Sequence, residues 1–260
     1  MSDYWECPNI TDWDDFAEKV EEICELNGNA VELAEQGIQV ISCDEKPGIQ
    51  ALQRAAPSLP LQQGHIEKQE YNYIRHGTLT LIANLLIATG KLIAPSIGPT
   101  RTEIDFLEHI KQTVALDPLL GWVIIVDQLN IHKSASLVQW VAQQLGDQQD
   151  LGKKGVRGIL KSMETRMAYL SDCKHRIRFV YTPKHCSWLN LIEGWFSVLK
   201  RRTLKRGNFT SKEDLKKKMF AYIDYHNAKL AKTINWATCK KKDVQELINK
   251  VKRMVCKFAT

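Results

Sequence analysis

The sequence lacks any apolar run that approaches the ~18–20 residues of a membrane-spanning helix. Its longest candidate, residues 79–88, is interrupted by Asn84 and followed by a Thr89-Gly90 turn, which favours a β-hairpin. No secretory signal pattern precedes the body of the chain. We therefore expect a protein without a membrane partner that works in the cytoplasm.

Paired cysteine motifs are also missing. The chain has seven scattered cysteines, an odd number, and no Cys-x-x-Cys pair. This usage is typical of reduced thiols and argues against both a disulfide framework and a zinc site. Hydrophobic residues make up 44% of the 260 positions, so the chain can bury a full core, as one domain with appendages or as two small domains.

The first half of the chain has few basic residues. Residues 1–130 carry 8 Lys and Arg against 20 Asp and Glu, whereas residues 131–260 carry 28 against 10. This asymmetry predicts that the second half binds a polyanion, although solvated helix faces are the ordinary explanation of Lys-rich stretches. The basic residues form three clusters, which are Lys153, Lys154, Arg157, Lys161 and Arg166; Lys200, Arg201, Arg202, Lys205 and Arg206; and Lys240, Lys241, Lys242, Lys250, Lys252, Arg253 and Lys257.

An apolar helix near the end of the chain carries a single carboxylate. At a period of 3.6, residues 188–199 place their large apolar side chains in two adjacent stripes, and Glu193 lies in the narrow polar strip that remains. A carboxylate among so much apolar surface is costly unless a cation meets it. A metal ion is one such cation, and a salt bridge with Lys184 or Lys200 is the structural alternative.

Two aspartates upstream lie at the ends of predicted strands, where proteins often place metal ligands. Asp127 follows the apolar run Trp122–Val126, which is typical of a strand buried on both faces. Asp44 ends the run Ile38–Cys43 and precedes a Pro47-Gly48 turn. Open α/β sheets bind ligands at strand ends of this kind.

These observations predict a metal site formed by Asp44, Asp127 and Glu193. Taken singly, Asp127 is as readily a cap or turn residue, and Asp44 is more readily a turn residue. The three together favour catalysis, because the structural alternative needs three independent coincidences in the right order. The loop histidines His132 and His185 are more often hydrogen-bonded or surface residues, and we do not assign them to catalysis.

The order of these motifs resembles the Asp–Asp–Glu catalytic triad of mariner-superfamily transposases, and most closely that of the bacterial insertion-sequence-630 type. The resemblance covers roughly residues 37–228, most of the chain. No single motif is decisive. The match is specific because the motifs occur in the family's order and each lies in the expected strand or helix. The motifs are Asp44-Glu45, Tyr73–Thr78, Gly98–Thr102, Asp127–His132, Tyr181–His185 and Ser187–Glu193.

The resemblance implies a metal-dependent DNA transposase catalytic domain, with an α/β, ribonuclease-H-like mixed sheet flanked by helices. Asp44 would bridge two Mg²⁺ ions, for which Mn²⁺ can substitute, and Asp127 and Glu193 would each hold one. Water would first free a 3′-hydroxyl at the transposon end, and that hydroxyl would then attack target DNA. The implied partners are double-stranded DNA and a second copy of the chain in a homodimer, in the bacterial cytoplasm at the nucleoid.

Two other interpretations stay open. A ribonuclease-H-like structure-selective nuclease is the nearest alternative enzyme. A catalytically silent transposase remnant that only binds DNA is the non-catalytic alternative, and the intact triad argues against it.

The chain departs from the family in two places. Only about 36 residues precede the first strand, where family members carry a helix-turn-helix region that reads the transposon ends. We therefore expect an acidic N-terminal helix or linker (1–36), a catalytic domain (37–228), a basic helical tail (229–260) and a separate helix-turn-helix part. In addition, 65 residues separate Asp127 from Glu193, more than is usual in the family, which indicates a basic insertion at about 147–174 before the last core strand.

The predicted elements follow the order β, β-hairpin, α, β, α, insertion, β, α, α. The predicted N-cap residues are Thr102, in a capping box with Asp105, Ser134 and Ser211. The predicted ranges are 13–26 for an acidic amphipathic helix, 78–89 and 91–97 for the hairpin, 159–170 for a helix in the insertion, 176–181 for the last strand, 187–202 for the Glu193 helix, 211–226 for the next helix and 243–258 for a basic helix.

Overall fold

The computed structural model describes residues 10, 12–60, 62–68, 70–184, 186–234, 246 and 248–249. In this part of the chain a mixed sheet lies between two layers of helices. The strands are β1 (Ile38–Arg54), β2 (Tyr73–Leu86), β3 (Lys91–Gly98), β4 (Gly121–Val126) and β5 (Ile177–Tyr181). The α-helices are α1 (Trp13–Gly28), α2 (Ala30–Glu35), α3 (Glu103–Val114), α4 (Ala135–Leu145), α5 (Met163–Leu170), α6 (Ile192–Leu199) and α7 (Lys212–Tyr225).

The strands lie side by side in the order β3-β2-β1-β4-β5. β1 pairs antiparallel with β2, and β2 with β3, whereas the pairs β1–β4 and β4–β5 are parallel. Antiparallel strands thus come first in the chain and parallel strands follow. The predicted ribonuclease-H-like mixed sheet flanked by helices is confirmed.

Helices cover both faces of the sheet, which explains the unbroken apolar run in β4. Val123 and Ile125 pack on the face covered by α1, α6 and α7, and Ile124 and Val126 pack on the face covered by α3, α4 and α5. Because side chains alternate across a strand, a strand buried on both faces has no polar position. The predicted N-terminal helix is α1, and it packs on the core.

β1 does not end at Asp44, as the sequence predicted, but continues to Arg54 alongside β2. The predicted Pro47-Gly48 turn is a bulge within the strand, where the pairing with β2 shifts between Lys46 and Ile49. Gly48 supplies the left-handed conformation there (φ +67°), and a bulge tolerates a proline that cannot donate to the ladder. The second strand accordingly begins earlier than predicted, at Tyr73.

The predicted helix at 187–202 consists of three pieces. A 3₁₀ turn spans Ser187–Leu189, α6 follows, and Lys200–Leu204 is π-helical. The helix is interrupted because Asn190 is extended (φ −85°, ψ 104°) and its buried side chain bonds to β1. A continuous helix would have turned this amide away from the strand.

Three predicted helix starts are confirmed. Thr102 caps α3 in a capping box with Asp105, and Ser134 and Ser211 cap α4 and α7. Each cap oxygen accepts a backbone N–H that the first turn of a helix leaves without a partner.

The insertion helix is shorter than predicted. α5 begins at Met163 and is capped by Ser162, because the chain makes a turn at Gly158 (φ +71°) before it becomes helical. The predicted basic helix at 243–258 lies outside the described residues, apart from three positions. No helix within the described ranges is long and apolar enough to cross a membrane.

Candidate active site

Asp44 on β1 and Asp127, the residue that follows β4, both lie just beyond the last pair of the parallel ladder. The parallel pairing of β1 with β4 joins Ser42 to Ile125, so Asp44 and Asp127 each lie two residues further along the chain. Neighbouring strands lie about 4.8 Å apart, and side chains in register point to the same face. The end of the parallel ladder, and not the end of β1, is what places Asp44 at this edge.

Three hydrogen bonds fix the start of α6 to β1. The Ser42 hydroxyl donates to Asn190 Oδ1 and accepts from the Ile192 N–H at 2.9 Å, and Asn190 Nδ2 donates to the Cys43 carbonyl at 2.9 Å. Ser42 and Asn190 are fully buried. Glu193 follows in the first turn of α6, where the helix dipole favours a carboxylate. Asp127 and Glu193 both lie close enough to Asp44 to raise its pKa, and we call these three residues the carboxylate edge (Asp44, Asp127 and Glu193).

Asp44 is the most perturbed group at the carboxylate edge. Burial, followed by the neighbouring charge of Glu45, raises the pKa of Asp44 to about 8, with smaller contributions from Asp127 and Glu193. The Glu45 N–H, 2.7 Å from Asp44 Oδ1, opposes this rise. A cation among these carboxylates would counteract the repulsion that disfavours ionisation.

Asp127 is stabilised in its charged form. Burial opposes its ionisation, but the hydrogen bond and charge of His132 outweigh that effect and lower the pKa of Asp127. Its Oδ1 lies 2.9 Å from His132 Nδ1 and accepts the Leu129 N–H at 2.8 Å. The second bond is the turn role that the sequence left open, so Asp127 is a turn residue as well as a candidate ligand.

His132 is buried between two carboxylates. Its Nδ1 faces Asp127, and its Nε2 lies 2.9 Å from Glu45 Oε1. Burial opposes its charge, but the hydrogen bonds to Asp127 and Glu45 raise the pKa of His132 to about 10. The expectation that this loop histidine is hydrogen-bonded is confirmed, whereas His185 lies outside the described residues. Sequence reasoning missed Glu45 as a participant, and its only signal was its place next to Asp44.

Glu193 forms no ion pair with any described residue, so the predicted structural alternative, a bridge to Lys184 or Lys200, is not present in this part of the chain. Its side chain is partly exposed. Glu193 therefore has room for a ligand from solvent.

Two predicted basic clusters are described, and both are exposed except at Arg166. The α6 basic cluster, which directly continues α6, is exposed at every position: Lys200, Arg201, Arg202, Lys205 and Arg206. The insertion cluster is also exposed and comprises Lys153, Lys154, Arg157 and Lys161. Arg166 was predicted to belong with the latter, but it is buried and its Nε donates to the Ser162 carbonyl at 3.0 Å.

The insertion cluster lies on a glycine-rich loop. Lys153 and Arg157 pair across the loop through backbone hydrogen bonds, and a Cβ at Gly152 would lie 2.1 Å from the Arg157 carbonyl oxygen. Arg157 also forms an ion pair with Asp150 at 2.5 Å. Among the described residues, the insertion cluster therefore has its charges without an ion-pair partner on its lysines.

The carboxylate edge fits hard divalent cations. Carboxylate oxygens are the ligands that Mg²⁺ prefers, and Mg²⁺ takes only one or two carboxylates from the protein. No three His, Cys, Asp or Glu side chains in the described ranges are grouped to hold one ion together. Asp44, Asp127 and Glu193 are the residues that would hold such cations here.

The sequence profile described as "DDE superfamily endonuclease" matches residues 39–216, which is more than half of the chain. The chain belongs to this family. The matched range of this DDE superfamily endonuclease contains Asp44, Asp127 and Glu193. No curated protein matches the chain.

Solved structures of similar fold come from the Mos1 mariner transposase. The Mos1 mariner paired end complex with Mn aligns with a TM-score of 0.50 at 12% identity, over 99% of this chain and 66% of the Mos1 chain. The catalytic domain of Mos1 mariner transposase aligns with a TM-score of 0.48 at 11% identity, over 97% of both chains. The first likeness shows that the fold is shared. This DDE superfamily endonuclease spans just under two thirds of the length of the Mos1 chain in that complex.

Proposed function

We propose that this DDE superfamily endonuclease is the catalytic domain of a mariner-superfamily DNA transposase of the bacterial insertion-sequence-630 type. It would cleave phosphodiesters at transposon ends and join the freed 3′-hydroxyl to target DNA. The observation that supports the proposal is the carboxylate edge, where the charges of Asp127 and Glu193 both act on Asp44 and the start of α6 is bonded to β1.

The three carboxylates divide the metal binding between them. Asp44 would contact both ions, Asp127 one and Glu193 the other. Two Mg²⁺ ions, or Mn²⁺ in their place, activate an attacking oxygen and stabilise the leaving one. The contact with His132 favours the ionised form of Asp127, and a cation held beside Asp44 would lower the raised pKa of that carboxyl.

The α6 basic cluster is proposed to hold double-stranded DNA. Glu193 lies in the first turn of α6, and the cluster begins at the helix end, on the order of 10 Å away along the axis. Exposed cations at this distance are suited to phosphates that flank a scissile bond. The insertion cluster is a second proposed contact, since α5 packs near the segment 130–133 that follows Asp127.

The larger assembly is also part of the proposal. It comprises a homodimer on DNA at the bacterial nucleoid and a helix-turn-helix part that reads the transposon ends. The division into 1–36, 37–228 and 229–260 is proposed with it. The Mos1 mariner paired end complex with Mn, whose fold this chain shares, supports this assembly.

Nicking of supercoiled plasmid tests the proposed function. Wild type is expected to nick DNA with Mg²⁺ or Mn²⁺ but not with Ca²⁺, and Asp127→Asn is expected to lose at least about a thousandfold in rate. The loss follows because metal binding supplies several kcal/mol of transition-state stabilisation, and each 1.4 kcal/mol is a factor of ten.

Asp117→Asn is the matched control. Asp117 Oδ1 accepts the Leu119 N–H at 3.1 Å, the same local bond that Asp127 makes to Leu129, but it lies at the opposite end of β4. This control should retain wild-type nicking. Equal nicking by wild type and Asp127→Asn would refute the site, and salt-sensitive DNA binding without nicking would favour the silent remnant.

A further inference from the structure

We propose that Glu45 and His132 are positioning residues that hold the Asp127 carboxylate in its metal-binding orientation. The proposal rests on the proposed metal site but assigns a role to two residues outside it. Neither residue would touch a metal ion or DNA, and both would act through Asp127.

The geometry is a chain of contacts between three side chains. Glu45 on β1 bonds to His132 Nε2 at 2.9 Å. His132 Nδ1 lies 2.9 Å from Asp127 Oδ1 and also bonds to the Asp127 backbone carbonyl at 3.1 Å. The exposed fractions of the Glu45 and His132 side chains are 1% and 0%, whereas that of the Asp127 side chain is 37%. The chain therefore runs from the interior to an accessible carboxylate.

The two oxygens of Asp127 differ. Oδ1 accepts the Leu129 N–H and lies 2.9 Å from His132 Nδ1, while Oδ2 accepts no hydrogen bond from any described residue. A hydrogen bond and a close ring nitrogen at one oxygen restrict rotation of the carboxylate and leave the other oxygen for a ligand. Hydrogen bonds of this kind orient metal ligands in many proteins.

His132 is itself held rigidly. Its ring packs on Phe106, with 4.4 Å between ring centroids, and its carbonyl accepts the Tyr181 hydroxyl at 2.8 Å. The imidazole therefore has little freedom to follow Asp127 if the carboxylate moves. A fixed donor of this type pre-organises the carboxylate before a metal arrives.

Glu45 links the contacts of His132 and Asp127 to Asp44, the other aspartate of the carboxylate edge. It follows Asp44 directly in β1, and its Oε1 lies 2.9 Å from His132 Nε2. Through Glu45 and His132, the strand that carries Asp44 is tied to the residue that carries the second carboxylate. The pair would fix the spacing of both ligands as well as the orientation of one.

Amide replacements of His132 separate positioning from bulk stability. The Asn amide nitrogen stands near the place of Nδ1 and can still donate to Asp127, whereas the Gln amide nitrogen stands near Nε2 and reaches only Glu45. We expect His132→Gln to weaken Mn²⁺ binding by about 10–100-fold, a range typical of lost outer-shell partners, and His132→Asn to weaken it far less. A merely structural role predicts no such difference in affinity between folded variants.

The measurement is Mn²⁺ titration of the full chain without DNA, followed by the electron paramagnetic resonance of free Mn²⁺, with thermal melting in metal-free buffer to confirm folding. His109→Gln is the matched control, since His109 is equally buried and bonded at one nitrogen, to Ser96 at 2.8 Å, but has no contact with the carboxylate edge. It should lower the melting temperature and leave Mn²⁺ affinity unchanged.

Glu45→Gln keeps the proposal testable if His132→Gln does not fold. It retains the shape of Glu45 and removes the charge that holds His132, and we expect about a tenfold loss of Mn²⁺ affinity. Wild-type affinity in folded Glu45→Gln or His132→Gln would overturn the positioning role alone. Absence of Mn²⁺ binding by the wild-type chain would instead contradict the metal site and this proposal together.

Discussion

The carboxylate edge and the α6 basic cluster are built in opposite ways. At the carboxylate edge, buried groups fix the candidate ligands through hydrogen bonds between residues that are 87 to 150 positions apart in the chain. In the α6 basic cluster all five side chains are exposed, and none forms an ion pair with a described residue. One region is specified by packing and register, and the other by charge alone.

This contrast indicates what kind of effect each region should show. A group whose position is set by several buried contacts cannot be replaced by a neighbour, so its loss should abolish metal binding. Exposed cations act through their combined charge. The removal of one should therefore weaken DNA binding only in part, and the size of the effect should depend on salt concentration. The predictions below test this contrast.

The largest expected effect is the dependence of metal affinity on pH. The pKa of Asp44 is raised to about 8 in the folded chain, so a metal ion must displace a proton below that pH. We expect Mn²⁺ affinity to rise about tenfold per pH unit up to about pH 8 and then to level off. A titration series across this window would contradict the account if the affinity were flat.

The same shift fixes the sign of the stability change. The folded chain holds the Asp44 proton between about pH 4 and pH 8, where the unfolded chain has lost it, so metal-free stability should fall as pH rises through this window. Asp44→Asn should flatten that part of the dependence. Thermal melting with and without the substitution measures it.

Removal of two arginines from the α6 basic cluster should produce a graded effect. Arg202→Ala combined with Arg206→Ala should reduce the slope of log K against log salt by about 0.9 for each phosphate that the variant no longer neutralises, with metal affinity unchanged. Lys111→Ala is the control, because Lys111 is ion-paired to Glu108 at 2.7 Å on α3. An unchanged slope in the double variant would show that these two arginines do not contact DNA phosphates.

The anchor between β1 and α6 should show its effect in stability. Ser42→Ala leaves Asn190 Oδ1 and the Ile192 N–H without a partner in the interior, at a cost of about 1–3 kcal/mol for each group. For a chain of this size, 1 kcal/mol corresponds to about 2–4 °C in melting temperature. Ser136→Ala, which removes one bond to Ser134 at 3.1 Å, should change melting much less, and equal shifts would contradict the anchor.

The smallest effect is expected at the insertion cluster. Lys153→Ala combined with Lys154→Ala should lower the salt slope of DNA binding by no more than the α6 double variant does, because Arg157 is already compensated by Asp150. If this variant reduced the slope more than Arg202→Ala with Arg206→Ala does, the insertion cluster would be the stronger DNA contact, which would contradict the expectation.

Local patterns predicted several elements and singled out the candidate residues of the carboxylate edge. The apolar run of β4 and the caps at Thr102, Ser134 and Ser211 depend on neighbours in sequence, and the structure contains them as predicted. The length of β1 was not predicted, because its second half is held by pairing with β2 across a bulge that resembles a turn.

Contacts between distant residues account for the rest. The break at Asn190 arises from bonds to β1 that are 147 and 148 residues away in the chain, and the Glu45–His132 bond spans 87 residues. No periodicity or propensity encodes such pairs. They emerge only when the sheet brings the strands together.

The central claim is that Asp44, Asp127 and Glu193 bind divalent metal together. Anomalous scattering from Mn²⁺ in crystals of the chain tests it most directly. The account predicts two peaks about 3.5–4 Å apart, both beside Asp44, with Asp127 at one and Glu193 at the other. No peak at the carboxylate edge, in crystals that bind Mn²⁺ at other carboxylates, would contradict it.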